Sequence, residues 1–568
     1  MPSLSSTQQL RLREHQLILA LSIVIGVLAG LAAVLFSLAI DRTAHFLFGL
    51  EPSRLRLFLI PPAVSLFTGF LLVKFFPDVR GSGVPQTEAA FHLHGGFIPA
   101  RVPFGKFITG VLCVGSGHSM GREGPSVQIG AGLASSLGRW LRLSPARVKE
   151  LVPIGAAAAL AAAFNTPVSA VVFALEEIIG DMNATLLGST VVASVASVMV
   201  ERSILGNEPL FRVPIYHLAH PAELLGYAAL GLVGGVVSLV FCKSLLGLRA
   251  AFMRLPQASR IAQPAIGGLV IGGMLLFVPQ VMGVGYEYVD QALHGDLVVR
   301  ALVLLGAMKL LATIVSYSSG NAGGIFAPSL YIGAMVGGTV GSIVHRIAPF
   351  PTGDTGAYAL VGMGTLFAGI VRAPMTSVFM IFEMTQDYQI LVPLMVANLL
   401  SFVISRRYQP TPVYHALLEQ DHIHLPSPGL RDGAAAWTAR DVMSADALFT
   451  AADAPVEVAW RNMRTNGQHL CLAGTREALV GVVRPERLAR AVEAGHGADR
   501  LDSLLEEKFV HVHPDHPMDI VLERFAATPG LLPVLDRTHT RRVEGVITLD
   551  QIVRVLEQGT DQERTGQE

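Results

Sequence analysis

Charged residues are scarce in this sequence, and the scarcity is uneven. Asp, Glu, Lys and Arg make up 15% of the 568 residues, whereas soluble domains carry roughly 25%. The shortage covers about residues 16–405, and the remainder has the composition of ordinary soluble protein. This pattern excludes a wholly soluble chain and predicts a membrane region followed by a soluble part.

Cysteine is also rare. Cys113, Cys242 and Cys471 lie far apart and lack the spacing of a disulfide framework or a metal site, so we expect buried thiols and no bound metal. The formal net charge is −1, which gives no support to a nucleic-acid partner.

The apolar segments of the membrane region differ in length. The first, Leu17–Ile40, is too long for a signal peptide, and Arg11 and Arg13 before it predict a cytoplasmic N-terminus. Several later segments are shorter than the ~20 residues of a full crossing and contain Gly and Pro, as is typical of transport sites. The segments lie at about 16–40, 56–75, 103–119, 123–141, 147–163, 166–180, 185–201, 221–248, 262–283, 298–317, 325–346, 356–371, 374–384 and 388–405.

Two stretches of the membrane region recur later in the same order. Residues 124–131 (GPSVQIGA) match residues 327–334 (APSLYIGA), and residues 155–176 match residues 362–383. The separation is nearly the same in both matches. The pattern predicts duplicated halves, and the residues alone leave open whether these are parallel or inverted.

A single carboxylate lies in the glycine-rich stretch Gly115–Gly130 (GSGHSMGREGPSVQIG). Because Pro125 suits the first turn of a helix, we expect Glu123 where that helix begins and where free amides attract anions. Glu123 would then compete with an anion for this position. An acidic helix cap is the structural alternative, but a carboxylate inside a bilayer is costly and indicates function.

Two further loops offer anion contacts. In Gly81-Ser-Gly-Val-Pro85, which precedes a predicted short helix, Ser82 can donate its hydroxyl group; a simple turn and helix cap is the alternative. The stretch from Gly320 to Pro328 enters another helix and offers the backbone amides of Ile325 and Phe326. There the alternative is close helix packing.

Four polar residues lie at the ends of predicted helices. Glu176 and Glu177 end a helix, where acidic residues oppose the helix dipole, so they either reach solvent or serve as a proton port. Glu383 matches Glu176 in the repeat, and we interpret it as structural. Tyr414 follows the last membrane segment and is either an anion contact or an interfacial anchor.

Enzymatic motifs are weak. Ser116 and His118 could suggest an intramembrane hydrolase. Residues this close together on a glycine loop, however, do not have the geometry of a nucleophile and its base. No phosphate-binding loop ending in Gly-Lys-Ser/Thr is present. We therefore expect a protein that is not an enzyme.

The soluble part begins after a polar linker. From about residue 438, β-like runs at 479–483, 532–535 and 543–547 alternate with helical stretches at about 455–464, 485–494, 517–527 and 549–557. This alternation predicts an α/β unit built of two similar parts. The tail beyond it is polar, and we expect it to be disordered.

Four of these motifs, taken in order, resemble the anion-binding motifs of the CLC chloride channel and transporter family. They are Gly81–Pro85, Gly121–Pro125, Gly324–Pro328 and Tyr414. The resemblance implies an all-α polytopic membrane protein with an inverted repeat of about 18 helices, and a homodimer with one pore per subunit. The C-terminal unit is similar to a pair of CBS domains.

The resemblance also implies residue roles. Glu123 would be the gating glutamate, and Glu177 the internal proton-transfer residue. The chloride would be bound by the residues of the four motifs: Ser82, Gly83, Gly121, Arg122, Gly124, Ile325, Phe326 and Tyr414. Ser82, rather than Pro, fits a preference for chloride over nitrate.

Two departures from the family pattern stand out. Gln86 replaces a glutamate that many members carry near the inner vestibule. In the CBS pair, Thr548 is followed by Asp550 one position earlier than the nucleotide motif requires, and Arg487 stands where the first module would carry Asp. Binding of an adenine nucleotide and a dimer-stabilising or degenerate sensing role are both left open.

The resulting expectation is chloride/proton exchange across the bilayer of the inner cell membrane, with both termini cytoplasmic. A passive voltage- or pH-gated chloride channel is the alternative, and the intact anion motifs disfavour a non-transporting CBS sensor. The expected domains are an N-terminus (1–15), a membrane domain (16–418, halves about 16–201 and 221–418), a linker (419–437), two CBS modules (438–497 and 498–558) and a tail (559–568).

Overall fold

The computed structural model describes residues 6–180, 186–207, 210–211, 213–214, 216, 218–385, 388–423, 425, 437–466, 470–506, 509–516, 518–527, 530–537, 539 and 541–554, without the side chains of 6–15, 519, 523 and 526–527. The chain divides into two compact units, Met1–Leu425 and Pro426–Glu568. Most of the predicted linker (426–436) and the predicted tail (559–568) lie outside the described residues.

The described residues of the first unit form seventeen α-helices. They are α1 (Ser6–Phe48), α2 (Arg54–Lys74), α3 (Val84–His92), α4 (Arg101–Gly115), α5 (Glu123–Trp140), α6 (Pro145–Phe164), α7 (Pro167–Phe173), α8 (Leu187–Leu205), α9 (Glu223–Met253), α10 (Gln263–Leu275), α11 (Tyr286–Leu293), α12 (Val299–Ser318), α13 (Phe326–Ile347), α14 (Thr355–Ile370), α15 (Pro374–Thr385), α16 (Leu391–Tyr408) and α17 (Val413–Gln420).

The helices fall into long and short classes. Within the described part of the chain, seven are long and apolar enough to cross a membrane. Others are far too short: α3 has nine residues and α11 has eight, about 12–14 Å at 1.5 Å per residue, against a hydrocarbon core of about 30 Å. These short helices end inside the protein, where their backbone groups can be satisfied.

One predicted apolar segment is interrupted in the structure. The segment expected at 262–283 is broken, because α10 ends at Leu275 and a short 3₁₀ turn begins at Pro279 before α11. The predicted end of the membrane domain, residue 418, lies in the last turn of α17, which ends at Gln420. Arg249 of α9 pairs with Asp421 at 2.6 Å beyond that turn and so holds these residues to the first unit.

The first unit consists of two halves that repeat each other with reversed direction. Helix α1 packs against α6 and α8 just as α9 packs against α14 and α16. At the centre, Gly121 and Gly324 exchange two backbone hydrogen bonds, both 2.8 Å, in an antiparallel pair. Equivalent residues that pair reciprocally are related by a local twofold axis, and the antiparallel direction of the pair agrees with inverted halves.

The structure identifies a third repeated segment. Residues 77–85 (PDVRGSGVP) and 279–287 (PQVMGVGYE) both form a 3₁₀ turn, a glycine turn and the start of a short helix. A buried lysine holds each turn: Lys106 donates to Val79 O and Gly81 O at 2.8 and 2.6 Å, and Lys309 donates to Val281 O and Gly283 O at 3.1 and 2.7 Å.

The short helices α7 and α15 cap each other. Glu176, in the π-helical turn that continues α7, accepts hydrogen bonds from the amides of Met375 and Thr376 at the start of α15, at 3.2 and 2.8 Å. Glu383, near the end of α15, accepts equivalent bonds from the start of α7. The two helices therefore run antiparallel, and the expected structural role of Glu383 has a physical basis.

The second unit is a small α/β structure. Helices α18 (Ala439–Val442), α19 (Val456–Thr465), α20 (Pro485–Glu493) and α21 (Met518–Ala527) accompany strands β1 (Phe449–Thr450), β2 (Cys471–Gly474), β3 (Leu479–Val483), β4 (Leu531–Leu535) and β5 (Val543–Thr548). In the first sheet β1 pairs parallel with β2, which pairs antiparallel with β3, and in the second β4 pairs antiparallel with β5.

Two of the hydrophobic cores of this unit contain residues from both sides of the predicted division at 497/498, which stays a prediction. Ala439 and Val442 pack into the later core with residues 512–552, while Leu501 packs into the earlier core with residues 456–488. Each core thus includes a segment from the other side of the expected boundary.

Candidate anion site

Three loops meet at the centre of the first unit. Gly323 N donates to Gly81 O at 3.1 Å, and the Gly121–Gly324 pair joins the other two loops. Helices α3, α5 and α13 begin directly after these loops. Because the first amides of a helix have no acceptor within it, three sets of free N–H groups and three positive helix ends are directed at one place.

Two buried hydroxyl groups, those of Ser82 and Tyr414, face this place and lie close to each other. Ser82 and Tyr414 are fully buried, and neither Ser82 Oγ nor Tyr414 Oη makes a hydrogen bond to a described residue. Tyr414 comes from the first turn of α17, and Ser82 from the loop before α3. Buried hydroxyl groups normally find partners, so this pair points to a bound species that accepts hydrogen bonds.

The Ser82 hydroxyl lies against Gly124 so closely that a side chain at position 124 would collide with it. The predicted contact Gly83 has a different role. Its amide donates to Gln86 Oε1 at 3.0 Å, and its φ of 109° and close approach to Gly124 O require glycine. The Gln86 amide thus fixes the turn that presents Ser82.

The start of α13 lies at the same place. Ile325 and Phe326 are buried, and their amides belong to the first, unpaired positions of the helix. The Phe326 ring packs against Phe164, Phe173 and Phe367 at centroid distances of 4.9, 5.9 and 4.3 Å. This aromatic cluster holds the backbone of the loop in position.

Glu123 is buried at the junction of α5 and α13. Its Oε1 accepts a 2.7 Å hydrogen bond from the Tyr286 hydroxyl. Its Oε2 makes no such bond, and the amides of Glu123 itself and Ala327 lie close to the carboxylate. The carboxylate therefore occupies a position that an anion would favour. Arg122 donates to Ser37 of α1, and its guanidinium lies 5.7 Å from the Tyr286 ring centre.

A second buried carboxylate lies on the side of α3 and α17. Glu177 is buried and its Oε1 makes no hydrogen bond. Glu88, Glu176 and Arg372 lie within electrostatic range of it. Glu88 in turn contacts His415 Nε2 at 2.5 Å. Glu177 therefore belongs to a group of ionisable side chains.

The Tyr414 side chain lies within electrostatic range of both carboxylates, Glu177 and Glu123. The structure thus brings the sequence-predicted residues of both halves and of α17 to one place. A cavity of about 820 Å³ opens beside it; among its lining residues are Arg80, Gly81, Gln86, Arg249 and Tyr317.

Sequence reasoning missed Tyr286, Glu88 and His415. Tyr286 follows a glycine turn without any of the anion motifs, and only the third repeat, residues 279–287, would have linked it to the Ser82 turn. Glu88 and His415 are separated by 327 positions, and no local pattern joins them.

The hydrolase alternative does not fit the geometry. Ser116 Oγ donates to Cys113 O at 3.0 Å, while the His118 ring nitrogens contact Ser65 and Ser316 at 2.5 and 3.2 Å. Ser116 and His118 therefore have separate partners. All three cysteines are free and buried, as expected.

In the second unit, Thr548 ends β5 and its amide donates to Gln551 Oε1 at 2.8 Å. Asp550 is exposed at the start of the helical residues 549–554. The two predicted nucleotide contacts are thus neighbours, with the Thr548 amide already engaged.

Comparison with known proteins bears on the first unit most strongly. The family model described as voltage gated chloride channel matches residues 64–406. The chain belongs to the voltage gated chloride channel (CLC) family. A CBS domain model matches residues 501–558 of this CLC protein; the assignment of 438–497 as a first CBS module stays a prediction.

Relatives of this CLC protein cover its membrane region. A putative chloride channel protein ClcB-like of Ralstonia nicotianae is 33% identical, over 72% of this chain and 99% of the relative. The H(+)/Cl(-) exchange transporter ClcA of Vibrio campbellii is 31% identical, over 71% and 89%. The crystal structure of a slow cyanobacterial Cl-/H+ antiporter superposes with a TM-score of 0.66 at 29% identity, over 71% and 97%. The expected fold class is confirmed.

Proposed function

We propose that this CLC protein exchanges chloride for protons across a membrane. The observation that carries the proposal is the position of Tyr414: its unpartnered, buried hydroxyl lies within range of two buried carboxylates, Glu123 and Glu177. A passive anion pore needs one gate, whereas exchange needs a proton carrier on each side of the anion. The exchange transporter and antiporter among the compared proteins support the same proposal.

The anion would be held by Ser82, Tyr414 and the amides of Ile325 and Phe326. Gly121, Gly124 and Arg122 shape the pathway beside it, and Gly83 shapes the Ser82 turn. Three helix ends supply positive potential where the anion would lie, and these partial charges attract an anion without a full ion pair to it. Chloride needs hydrogen-bond donors, and the Ser82 and Tyr414 hydroxyl groups and the amides of Ile325 and Phe326 supply them.

Glu123 would act as the gate. When ionised, its carboxylate occupies the helix ends as an anion does; when protonated, it loses that attraction and yields the position to chloride. Glu177 would pass protons between the site and the side of the protein that carries α3 and α17. Its burial without a partner for Oε1 suits a group that must change its charge.

The test is made on purified protein in liposomes. A chloride gradient is imposed, the voltage is clamped by an ionophore and external pH is recorded. Uphill proton movement driven by chloride supports exchange. Chloride efflux without a proton signal overturns it and favours a gated channel, the activity named for the Ralstonia relative. Repeating the assay with fluoride and nitrate measures anion preference.

We also propose that the protein lies in the inner cell membrane with both termini in the cytoplasm. Arg406 and Arg407 end α16 before the second unit, and basic residues near the ends of membrane helices favour the cytoplasmic side. Accessibility of an introduced cysteine in the tail to a membrane-impermeant reagent tests this orientation.

A homodimer is the proposed assembly. Helix α15, with twelve residues, and α7, with seven followed by a six-residue π turn, are each about 20 Å long or less, shorter than the bilayer core. Their capped ends carry the carboxylates Glu176 and Glu383, and such polar helix ends are unfavourable against lipid. A second copy covering this face would remove them from lipid.

For the second unit we propose a CBS pair at about 438–497 and 498–558. Thr548 and Asp550 are its candidate contacts for an adenine nucleotide. The engaged Thr548 amide also fits a stabilising role without ligand. Thermal-shift titration of the full-length protein with AMP, ADP and ATP separates the two roles, since only binding raises the unfolding temperature with ligand concentration.

A further inference from the structure

We propose that Tyr286 positions the gate: its hydroxyl holds the Glu123 carboxylate at the helix ends, and the gate opens when this hydrogen bond breaks. The proposal rests on the gating role proposed for Glu123 and adds a residue that controls it. Tyr286 is a positioning residue, because it acts through Glu123.

The contact between Tyr286 and Glu123 is direct, and neighbouring side chains pack against the tyrosine ring. Tyr286 Oη donates to Glu123 Oε1 at 2.7 Å, a normal length for a hydroxyl group bound to a carboxylate. The tyrosine ring meets Phe211 edge-on, with 5.4 Å between centroids and 88° between planes. On another side lies the Arg122 guanidinium. These neighbours restrict the ring and direct its hydroxyl group to the carboxylate.

The inverted repeat explains why a donor lies there. The Gly283–Tyr286 turn in the second half corresponds to the Gly81–Val84 turn in the first, and Lys309 and Lys106 hold the two turns in the same way. In the first half the hydroxyl group comes from Ser82. In the second half Val284 stands at the serine position, and the hydroxyl group comes two residues later, from Tyr286. Each half thus supplies one hydroxyl group to the anion pathway.

The other groups around Glu123 differ from Tyr286 in charge or distance. Arg122 precedes α5, and Tyr414 of α17 lies within electrostatic range. Glu201 of α8 lies within range of Arg122. Helix α13 contributes the backbone of Ala327. Tyr286 is the neutral side chain that donates to the carboxylate, so removing its hydroxyl group weakens the closed gate without changing net charge.

The experiment measures chloride efflux from liposomes between about pH 4 and about pH 8, for the wild type and Tyr286→Phe. The variant keeps the ring and its packing. Because the lost bond favours the ionised carboxylate at the helix ends, we expect the midpoint of acid activation to move up by about one pH unit, with up to roughly tenfold faster efflux above the midpoint. Tyr288→Phe, the same change on the same helix, is the matched control and should behave as the wild type.

A second comparison separates gate control from a general structural effect. In a Glu123→Ala background there is no carboxylate to hold, so adding Tyr286→Phe should change efflux less than twofold. An equal effect in both backgrounds, or no shift in the single variant, overturns the proposal. Should Tyr286→Phe fail to fold, Glu123→Asp shortens the carboxylate arm and breaks the same bond; an unshifted midpoint would then count against Tyr286.

The experiments distinguish a failure of the proposed function from a failure of the role proposed for Tyr286. If Glu123→Ala leaves proton coupling and acid activation intact, Glu123 is not the gate and both ideas fall. If Glu123→Ala abolishes coupling while Tyr286→Phe is silent, the gate stands and only the role of Tyr286 is lost.

Discussion

At the scale of single residues, the site keeps polar groups at a cost to stability. A buried hydroxyl group without a partner costs roughly 1–3 kcal/mol, and Ser82 and Tyr414 are both in this state. Packing alone would select Ala and Phe at these positions. Both hydroxyl groups can donate to the anion that we propose binds here.

The first prediction separates binding from stability. Ser82→Ala and Tyr414→Phe should leave the stability of the ligand-free protein unchanged or raise it by about 1 kcal/mol, because each removes an unsatisfied group. Both should weaken chloride binding in titration calorimetry several-fold. Ser116→Ala serves as the control, since Ser116 Oγ donates to Cys113 O and its loss should lower stability instead. Unchanged chloride affinity in both variants would contradict the assignment.

The second prediction concerns the proton route. Glu177→Gln keeps the shape of the side chain but cannot release a proton, so chloride flow should continue while chloride-driven proton uptake falls at least tenfold. The liposome assay with a pH electrode measures both. Glu176→Gln is the neighbouring control and should retain coupling, because Glu176 caps α15. Full coupling in Glu177→Gln would mean that protons enter elsewhere.

Local motifs revealed part of this site and could not reveal the rest. Glu123 and Ser82 were predictable because a helix start and a glycine turn can be read from adjacent residues. Tyr286 was not predictable, because its contact with Glu123 joins residues 163 positions apart in the sequence. The Glu88–His415 contact likewise joins α3 to α17 through tertiary packing alone.

At the scale of helices, the pair α7 and α15 shows how short helices are kept inside a membrane protein. Acidic residues at a helix end oppose its dipole, which led us to expect that Glu176 reaches solvent or a proton path. Instead, each carboxylate caps the start of the other helix, where the dipole favours it. The sequence could not show this, since the partner amides lie in the opposite half.

The third prediction tests these caps. Glu383→Ala removes bonds from the amides of Val168 and Ser169 and from the Ser169 hydroxyl, at 2.9, 2.7 and 2.7 Å. We expect a loss of about 1–3 kcal/mol in the free energy of unfolding, measured by denaturant titration in mild detergent. Glu176→Ala should cost a similar amount by symmetry. Asp296→Ala, at an exposed loop position, should change stability by less than about 0.5 kcal/mol. Equal effects at all three positions would contradict the cap interpretation.

At the scale of the whole molecule, duplication and inversion account for most of the architecture. Two matched stretches were enough to predict the halves, and pairing of Gly121 with Gly324 gives their relative direction. The break after Leu275 was not predicted, because the sequence stays apolar through Pro279. The helix nevertheless ends at Leu275, and a separate 3₁₀ turn begins at Pro279. Inversion places two different turns, one with Ser82 and one with Tyr286, at a shared pathway.

The last prediction concerns assembly. Val168 and Met375 hold equivalent positions after the first prolines of α7 and α15, and each is 48% exposed in the single chain. If a second copy covers this face, Met375→Trp should overpack the interface at a cost of about 1–3 kcal/mol for each copy. Val236→Trp on α9, at a position 54% exposed, should be tolerated because lipid adapts to the larger ring.

Subunit counting in liposomes at low protein density measures the dimer fraction. A lower fraction for Met375→Trp than for Val236→Trp supports a dimer through α7 and α15. Equal fractions would place the interface elsewhere, and a monomeric wild type would remove the need for any partner at the capped helix ends.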